Sequence, residues 1–192
     1  MFKVSGFILI SLLILTSTFS CKETYTPKPP GYIKVEYPEK KYRLYNSNPP
    51  FKFEYPEYAE IIPDTSTRTK ETWLNLTFPS LNGTIYLSYK KLDNNLNSYI
   101  EDCRKLAYKH SIKAESIDEI LIQNSKENIY GIFYDIKGNT ASSIQFFVTD
   151  SVSHFLRGSL YFHAEPNQDS LSPIISFVRK DIDHLLETLR WK

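Results

Sequence analysis

The chain predicts an α+β domain, a single and mostly antiparallel sheet with helices packed against it. Three observations carry this. Apolar and polar residues alternate in runs that follow one another through tight-turn dipeptides, as in an antiparallel sheet. One stripe of helical period interrupts those runs in mid-chain, and a longer one closes the sequence. With 41% hydrophobic and 15% aromatic residues among 192, there is enough apolar material for one sizeable core. Two such cores do not fit once a leader and a spacer are subtracted.

The elements follow in order. Phe51, Phe53 and Tyr55 alternate with Lys52 and Glu54 until Pro56 stops the run, which reads as a half-buried strand. Leu74, Leu76 and Phe78 alternate with Asn75 and Thr77, and the turn signal Asn82-Gly83 leads into Thr84 to Tyr89, so this pair predicts a hairpin. Leu96, Tyr99, Ile100, Cys103, Leu106 and Ala107 share one face of a helix that Asn94 or Asn95 can cap. Cys103 lies on that stripe and reads as a small buried hydrophobe rather than a reactive thiol. Ile120-Leu121-Ile122 starts a strand, and Ile129 to Ile136 forms another, joined through Gly138-Asn139 to Ser143 to Val148. After the turn Thr149-Asp150-Ser151 a further strand runs from His154 to Phe162, giving three consecutive antiparallel strands. Pro173, placed at a first helical position after Ser172, opens a closing helix whose apolar face holds Ile174, Ile175, Val178, Ile182, Leu185, Leu186 and Leu189.

Ahead of the domain stands a secretory leader. Lys3 precedes the apolar run Phe7 to Leu15, and Thr16 to Ser20 lead into Cys21. The run falls well short of the roughly twenty residues that a bilayer core requires. Ser20 before a cysteine fits lipoprotein processing, in which the thiol is acylated and the bond before it cut; Thr18 and Phe19 depart from the usual residues of that box. Ordinary secretion, or an uncleaved leader helix, also places the domain outside the cytosol. Residues 22–50 carry Pro27, Pro29, Pro30, Pro38, Pro49 and Pro50 and read as a semi-rigid extended spacer. The expected layout is therefore a leader over 1–20, a lipidated Pro-rich linker over 21–50 and a globular domain over 51–192.

Several functions are set aside by composition. Residues 1–20 hold one of the 23 basic side chains and none of the 22 acidic ones, so the remainder is formally neutral and offers no electrostatic case for nucleic acid. With Cys21 acylated only Cys103 is left, so no internal disulfide forms. His110, His154, His163 and His184 are scattered without metal-ligand spacing, and the glycines form no phosphate cradle, so neither a metal nor another cofactor is expected. The densest polar cluster is Asp150-Ser151-Val152-Ser153-His154, with Arg157 beyond it. It holds the residue types of an acyl-transfer triad but lacks the Gly-x-Ser-x-Gly elbow. Side-chain hydrogen bonds closing a turn explain Asp150 and Ser151 more economically. By strand parity His154 shares a face with Leu156, Gly158, Leu160 and Phe162. Arg157 lies on the other face, with Asp135 or Asp150 as an expected partner, and Arg157, Asp150 and His154 are the candidate ligand or partner contacts.

At longer range, Cys21-Lys22-Glu23-Thr24-Tyr25-Thr26-Pro27-Lys28-Pro29-Pro30-Gly31-Tyr32 resembles the mature start of the GldD family, gliding motility lipoproteins of Bacteroidota. Tyr130 to Asn139, Ala141 to Ser151, His154 to Phe162 and Pro166 to Ser170 are similar to the same family, so the resemblance covers nearly all of the chain beyond the leader. It implies an envelope lipoprotein needed for gliding and for the associated type IX secretion, with other components of that machinery as partners and no catalytic residues. Lys22 replaces the aspartate of an inner-membrane retention cue, so attachment to the outer membrane, facing the periplasm, is the expected placement. The order of strands and helices also looks like the PsbP and Mog1 type of α/β/α fold, by analogy alone. Two functional alternatives stay open: an envelope hydrolase using Ser151 and His154, and a periplasmic ligand-binding module in which Arg157 holds an acidic group.

Each acyl chain contributes about 0.8 kcal/mol per buried methylene, and two or more hold a protein at a membrane almost permanently. Cys21→Ser is therefore expected to abolish labelling by palmitate in cells and to move the chain into the soluble envelope fraction. A labelled, membrane-bound variant overturns the lipidation of Cys21.

Overall fold

A computed structural model describes residues 36–47, 49–63 and 73–192. The expected leader, Cys21 and most of the expected linker lie outside the described residues. The first strands are β1 (Tyr42–Tyr45), β2 (Phe51–Pro56), β3 (Glu60–Pro63), β4 (Trp73–Phe78) and β5 (Gly83–Lys91). The helix α1 (Leu96–Tyr108) follows, then β6 (Ala114–Asn124), β7 (Ile129–Gly138), β8 (Ile144–Thr149) and β9 (His154–Phe162). The helix α2 (Gln168–Thr188) and the two-residue strand β10 (Arg190–Trp191) complete the described chain.

Seven strands form one antiparallel sheet in the order β3-β4-β5-β9-β8-β7-β6, and β2 lies between β1 and β10 in a second, small sheet. The first hairpin turns where the Asn82-Gly83 pair predicts it. A short 3-10 turn, Pro79–Leu81, ends on Asn82 at φ 51°, and Phe78 pairs with Gly83 across it. The four strands expected after α1 are present, but the first of them, β6, begins at Ala114 and not near Ile120. Gly138, at φ 108°, takes a conformation that side chains rarely adopt. The link after it runs to Ile144, longer than a two-residue Gly-Asn turn. At Gly131 a Cβ would lie 1.9 Å from the Phe147 carbonyl oxygen, so β7 and β8 approach this closely only with glycine there.

Strand parity divides the core in two. One face of the large sheet presents Leu76, Phe78, Ile85, Leu87, Phe146, Val148, Leu156 and Leu160 to α2 and β2, which contribute Val178, Ile182, Leu185, Phe51 and Phe53. The opposite face presents Tyr134, Ile136, Phe147 and Phe155 to α1, whose Cys103 and Ala107 are buried against them. The result is an α+β domain in which helices cover both faces of a mostly antiparallel sheet.

Three local expectations are corrected. The expected linker does not extend to residue 50, because Tyr42–Tyr45 pairs along β2 and belongs to the domain. Pro173 does not open α2. The helix starts at Gln168, because the Asn167 side chain accepts from the Ser170 amide, which leaves Pro173 inside the helix. Neither Asn94 nor Asn95 caps α1 with its side chain. Asn94 stands at φ 54°, while Asn95 accepts from the Asp93 amide at 3.0 Å and donates to the Tyr99 hydroxyl at 3.3 Å.

The N-terminal strand is held by a buried carboxylate on the closing helix. The Asp181 side chain is 0% exposed and lies 2.7 Å from the Lys40 ammonium. It also accepts from the Tyr42 hydroxyl at 2.9 Å and from the Tyr58 hydroxyl. Lys40 donates further to the Phe177 carbonyl at 3.0 Å and sits 3.7 Å from the centre of the Phe177 ring. Burial, followed by the bond to Asp181, raises the Tyr42 and Tyr58 phenols far above their ordinary value, so both stay protonated donors. Next to this group Tyr42 stacks on His184 at 3.7 Å, and His184 Nε2 is 2.7 Å from the Glu54 carboxylate.

Removing one member of a buried ion pair costs about 3 to 5 kcal/mol, because its partner is left uncompensated. Asp181→Ala strands a cation and two phenols, so thermal unfolding is expected to fall by roughly 6–12 °C for about 3 kcal/mol in a chain of this size. A loss below about 1 kcal/mol, the range of an exposed pair, would show that the carboxylate is not a clasp.

Candidate functional site

The Asp150 to His154 segment forms the turn between β8 and β9. One oxygen of Asp150 accepts the backbone amides of Val152, Ser153 and His154, at 2.9, 2.8 and 2.8 Å. Burial by itself pushes this carboxyl upward, but the three amides outweigh it and hold the group below its ordinary 3.8. Thr149 closes the other side, its hydroxyl donating to the His154 carbonyl at 2.6 Å and accepting from the Ser151 amide at 2.9 Å. Ser151 takes φ 67° and is exposed.

His154 enters β9 on the α2 face, as its parity predicts. Its Nδ1 is 2.8 Å from the Tyr89 hydroxyl, and its ring stacks on Trp191 with centroids 5.1 Å apart and planes 8° from parallel. The Trp191 indole donates to the Asn128 carbonyl at 3.2 Å. Asp150, His154 and Trp191 thus line an open groove of about 510 Å³ with Lys126, Glu127 and Arg190, the last two paired at 2.9 Å. Trp191 and Glu127 reach this place from the chain end and from the turn before β7. No local pattern in the sequence joins them to His154.

Arg157 is elsewhere. It points to the α1 face, where it donates to the Gln145 side chain at 2.8 Å. Neither expected acidic partner reaches it, since Asp135 is paired with Arg179 at 2.5 Å and Asp150 is held in its turn. On this face Arg157 Nε, Gln145 Nε2 and the Tyr134 hydroxyl are buried and find no hydrogen-bond partner among the described residues. Burial, and then the charge of Arg157, lower His110 below its ordinary 6.5, while burial pushes the Cys103 thiol up to about 11. A thiol so shifted is protonated at neutral pH and a poor nucleophile.

A hydrolytic relay needs serine bonded to histidine and the acid oriented on the imidazole. Here Asp150 holds His154 by the backbone amide, and the imidazole Nδ1 is engaged by Tyr89. Among the described residues no hydrogen bond joins the Ser151 side chain to His154, and no group of three His, Cys, Asp or Glu side chains is placed to hold a metal ion. The arrangement can recognise polar and aromatic groups at its open end.

A carboxyl depressed in the fold stabilises it fully above the unfolded pKa and loses that contribution as pH falls through the folded value. The Asp150 carboxyl is therefore expected to titrate below 3.8 by NMR, and Asp150→Ala to lower stability by about 1 to 2 kcal/mol, as for a lost cap. A midpoint at or above 3.8 contradicts the turn-holding role.

Comparison with known proteins agrees with this architecture. The solution structure of cyanobacterial PsbP (CyanoP) from Synechocystis sp. PCC 6803 superposes with a TM-score of 0.52 at 7% sequence identity, over 86% of this chain and 100% of that one. At that identity the likeness establishes the fold alone. No curated protein matches the chain. The family model described as gliding motility lipoprotein GldD matches residues 22–191, and the chain therefore belongs to the GldD family of gliding motility lipoproteins.

Proposed function

We propose that this protein is a lipid-anchored docking or stabilising component of the envelope machinery for gliding and type IX secretion, working without catalysis from the periplasmic face of the outer membrane. The observation that carries the reading is the use of Asp150 and His154 as structural groups, one holding three backbone amides and the other a tyrosine and a tryptophan. Membership of a gliding lipoprotein family supports the process, and Cys21 supplies the attachment. No helix among the described residues is long and apolar enough to cross a membrane, so the anchor carries the membrane contact in this reading. In this reading the proline-rich residues that precede β1 serve as the spacer between anchor and domain.

The groove beside His154 and Trp191 is the first contact surface to test. An aromatic stack flanked by charged groups of both signs suits a polar protein surface better than an apolar ligand. Arg157, covered by α1 and bonded to Gln145, serves in this reading as a structural group between layers.

Ser151→Ala is expected to leave gliding unchanged at matched protein abundance, and a loss of gliding with normal abundance would restore the hydrolase alternative. Crosslinking in living cells is expected to recover other gliding or secretion components with the wild-type chain. Recovery of none, under conditions that preserve the known assemblies, would sink the docking reading.

A further inference from the structure

The outer edge of the seven-stranded sheet is unusually open. β6 runs from Ala114 to Asn124, eleven residues, and among the described residues it pairs only with β7. An unpaired strand edge offers a row of backbone donors and acceptors, and proteins normally blunt it by shortness, proline, lysine or a bulge. The other free edges here are blunted in that way: β3 has four residues and ends on Pro63, β1 has four, and β10 has two. β6 has no proline or lysine, and its one irregularity lies at its start, between Ala114 and Ser116. At its middle Ile120 and Leu121 are exposed by 43% and 72% on opposite faces.

The charge of the strand selects the occupant. Glu115, Asp118 and Glu119 stand on it without any cation of its own. Lys137 offsets Asp118 at 2.9 Å, and the Tyr108 hydroxyl donates to Glu119 at 3.0 Å, which leaves two carboxylates uncompensated. A second copy fits poorly, because full antiparallel overlap of two β6 strands sets Glu119 directly against its own counterpart, and like charges at that position repel. An alternating basic and apolar strand meets both features, its cations lying on the face that carries Glu119 and Leu121 and its apolar side chains covering Ile120 on the other.

We infer that β6 is a strand-addition site for an extended, basic and apolar segment of a partner protein. The inference rests on the docking reading above and names its surface: the partner contributes main-chain hydrogen bonds along Ser116 to Asn124, seats apolar side chains beside Ile120 and sets cations beside Glu119 and Leu121, where an added lysine would repel them.

The test uses the full chain with a short synthetic peptide of alternating valine and lysine. This peptide is expected to slow exchange of alternate β6 amides by about tenfold or more, as a new ladder of hydrogen bonds does. A peptide of the same charge with a central proline, and one with glutamate in place of lysine, are expected to give no protection. Leu121→Lys, at an exposed position that should leave the melting temperature within about 2 °C, is expected to abolish the protection. Equal protection by the proline peptide, protection only at β1 or β3, or no protection at all overturns the inference. So does a concentration-dependent dimer that Leu121→Lys dissolves, since the occupant is then a second copy. In cells, crosslinked gliding components that persist with Leu121→Lys remove β6 while leaving the docking reading intact, and their absence even from wild type removes that reading itself.

Discussion

A carboxylate buried with no solvent access survives only beside a cation and enough donors to fill its lone pairs. Asp181 meets that condition through Lys40, Tyr42 and Tyr58, three residues from before β3 that all converge on α2. The first described strand and the closing helix are therefore one unit. Lys40, near the start of the described chain, is thereby tied directly to α2. The small sheet repeats the arrangement, since β2 takes β1 on one side and β10 on the other. Both ends of the described chain are thereby held against the same strand.

The two faces of the large sheet are unequal for a physical reason. The α2 face is filled by aromatic and branched aliphatic side chains that interdigitate with β2. The α1 face has a smaller apolar cluster and, beside it, the buried Gln145 and Ser159 and the partly buried Arg157. Polar groups there are partly satisfied by one another, as in the Arg157 bond to Gln145. That division separates the candidate residues: His154 and Arg157 are three apart on β9, so the pleat sends them to opposite faces and no common site can contain both. Asp150 lines the groove beside His154, with one carboxylate oxygen engaged by the amides of its own turn.

How much of this was legible depended on the range of the interaction. Alternation at Phe51 to Tyr55 and Leu74 to Phe78, the stripe through Cys103, and the parity of His154 are periodic signals. Each survives folding because burial on one face imposes it. β1 gave no such signal, since Tyr42-Arg43-Leu44-Tyr45 becomes a strand only by pairing with β2. The start of α2 was misplaced because a proline usually marks a first turn, whereas Asn167 provides the capping oxygen five residues before Ser172. In the groove, Trp191 and Glu127 were invisible beside His154 because parity specifies a face and says nothing about which distant residue arrives there.

By itself the sequence determined the α+β class, the family, and the inward or outward sense of most strand residues, because periodicity and short motifs are local consequences of the chain. Tertiary structure alone decided that Asp181 would draw the N-terminal strand to α2, that Arg157 would bind Gln145 instead of an acid, and that β6 would be left at the edge. Each of those outcomes depends on which remote segments share space. That is settled when burial of both faces of one sheet is completed at once.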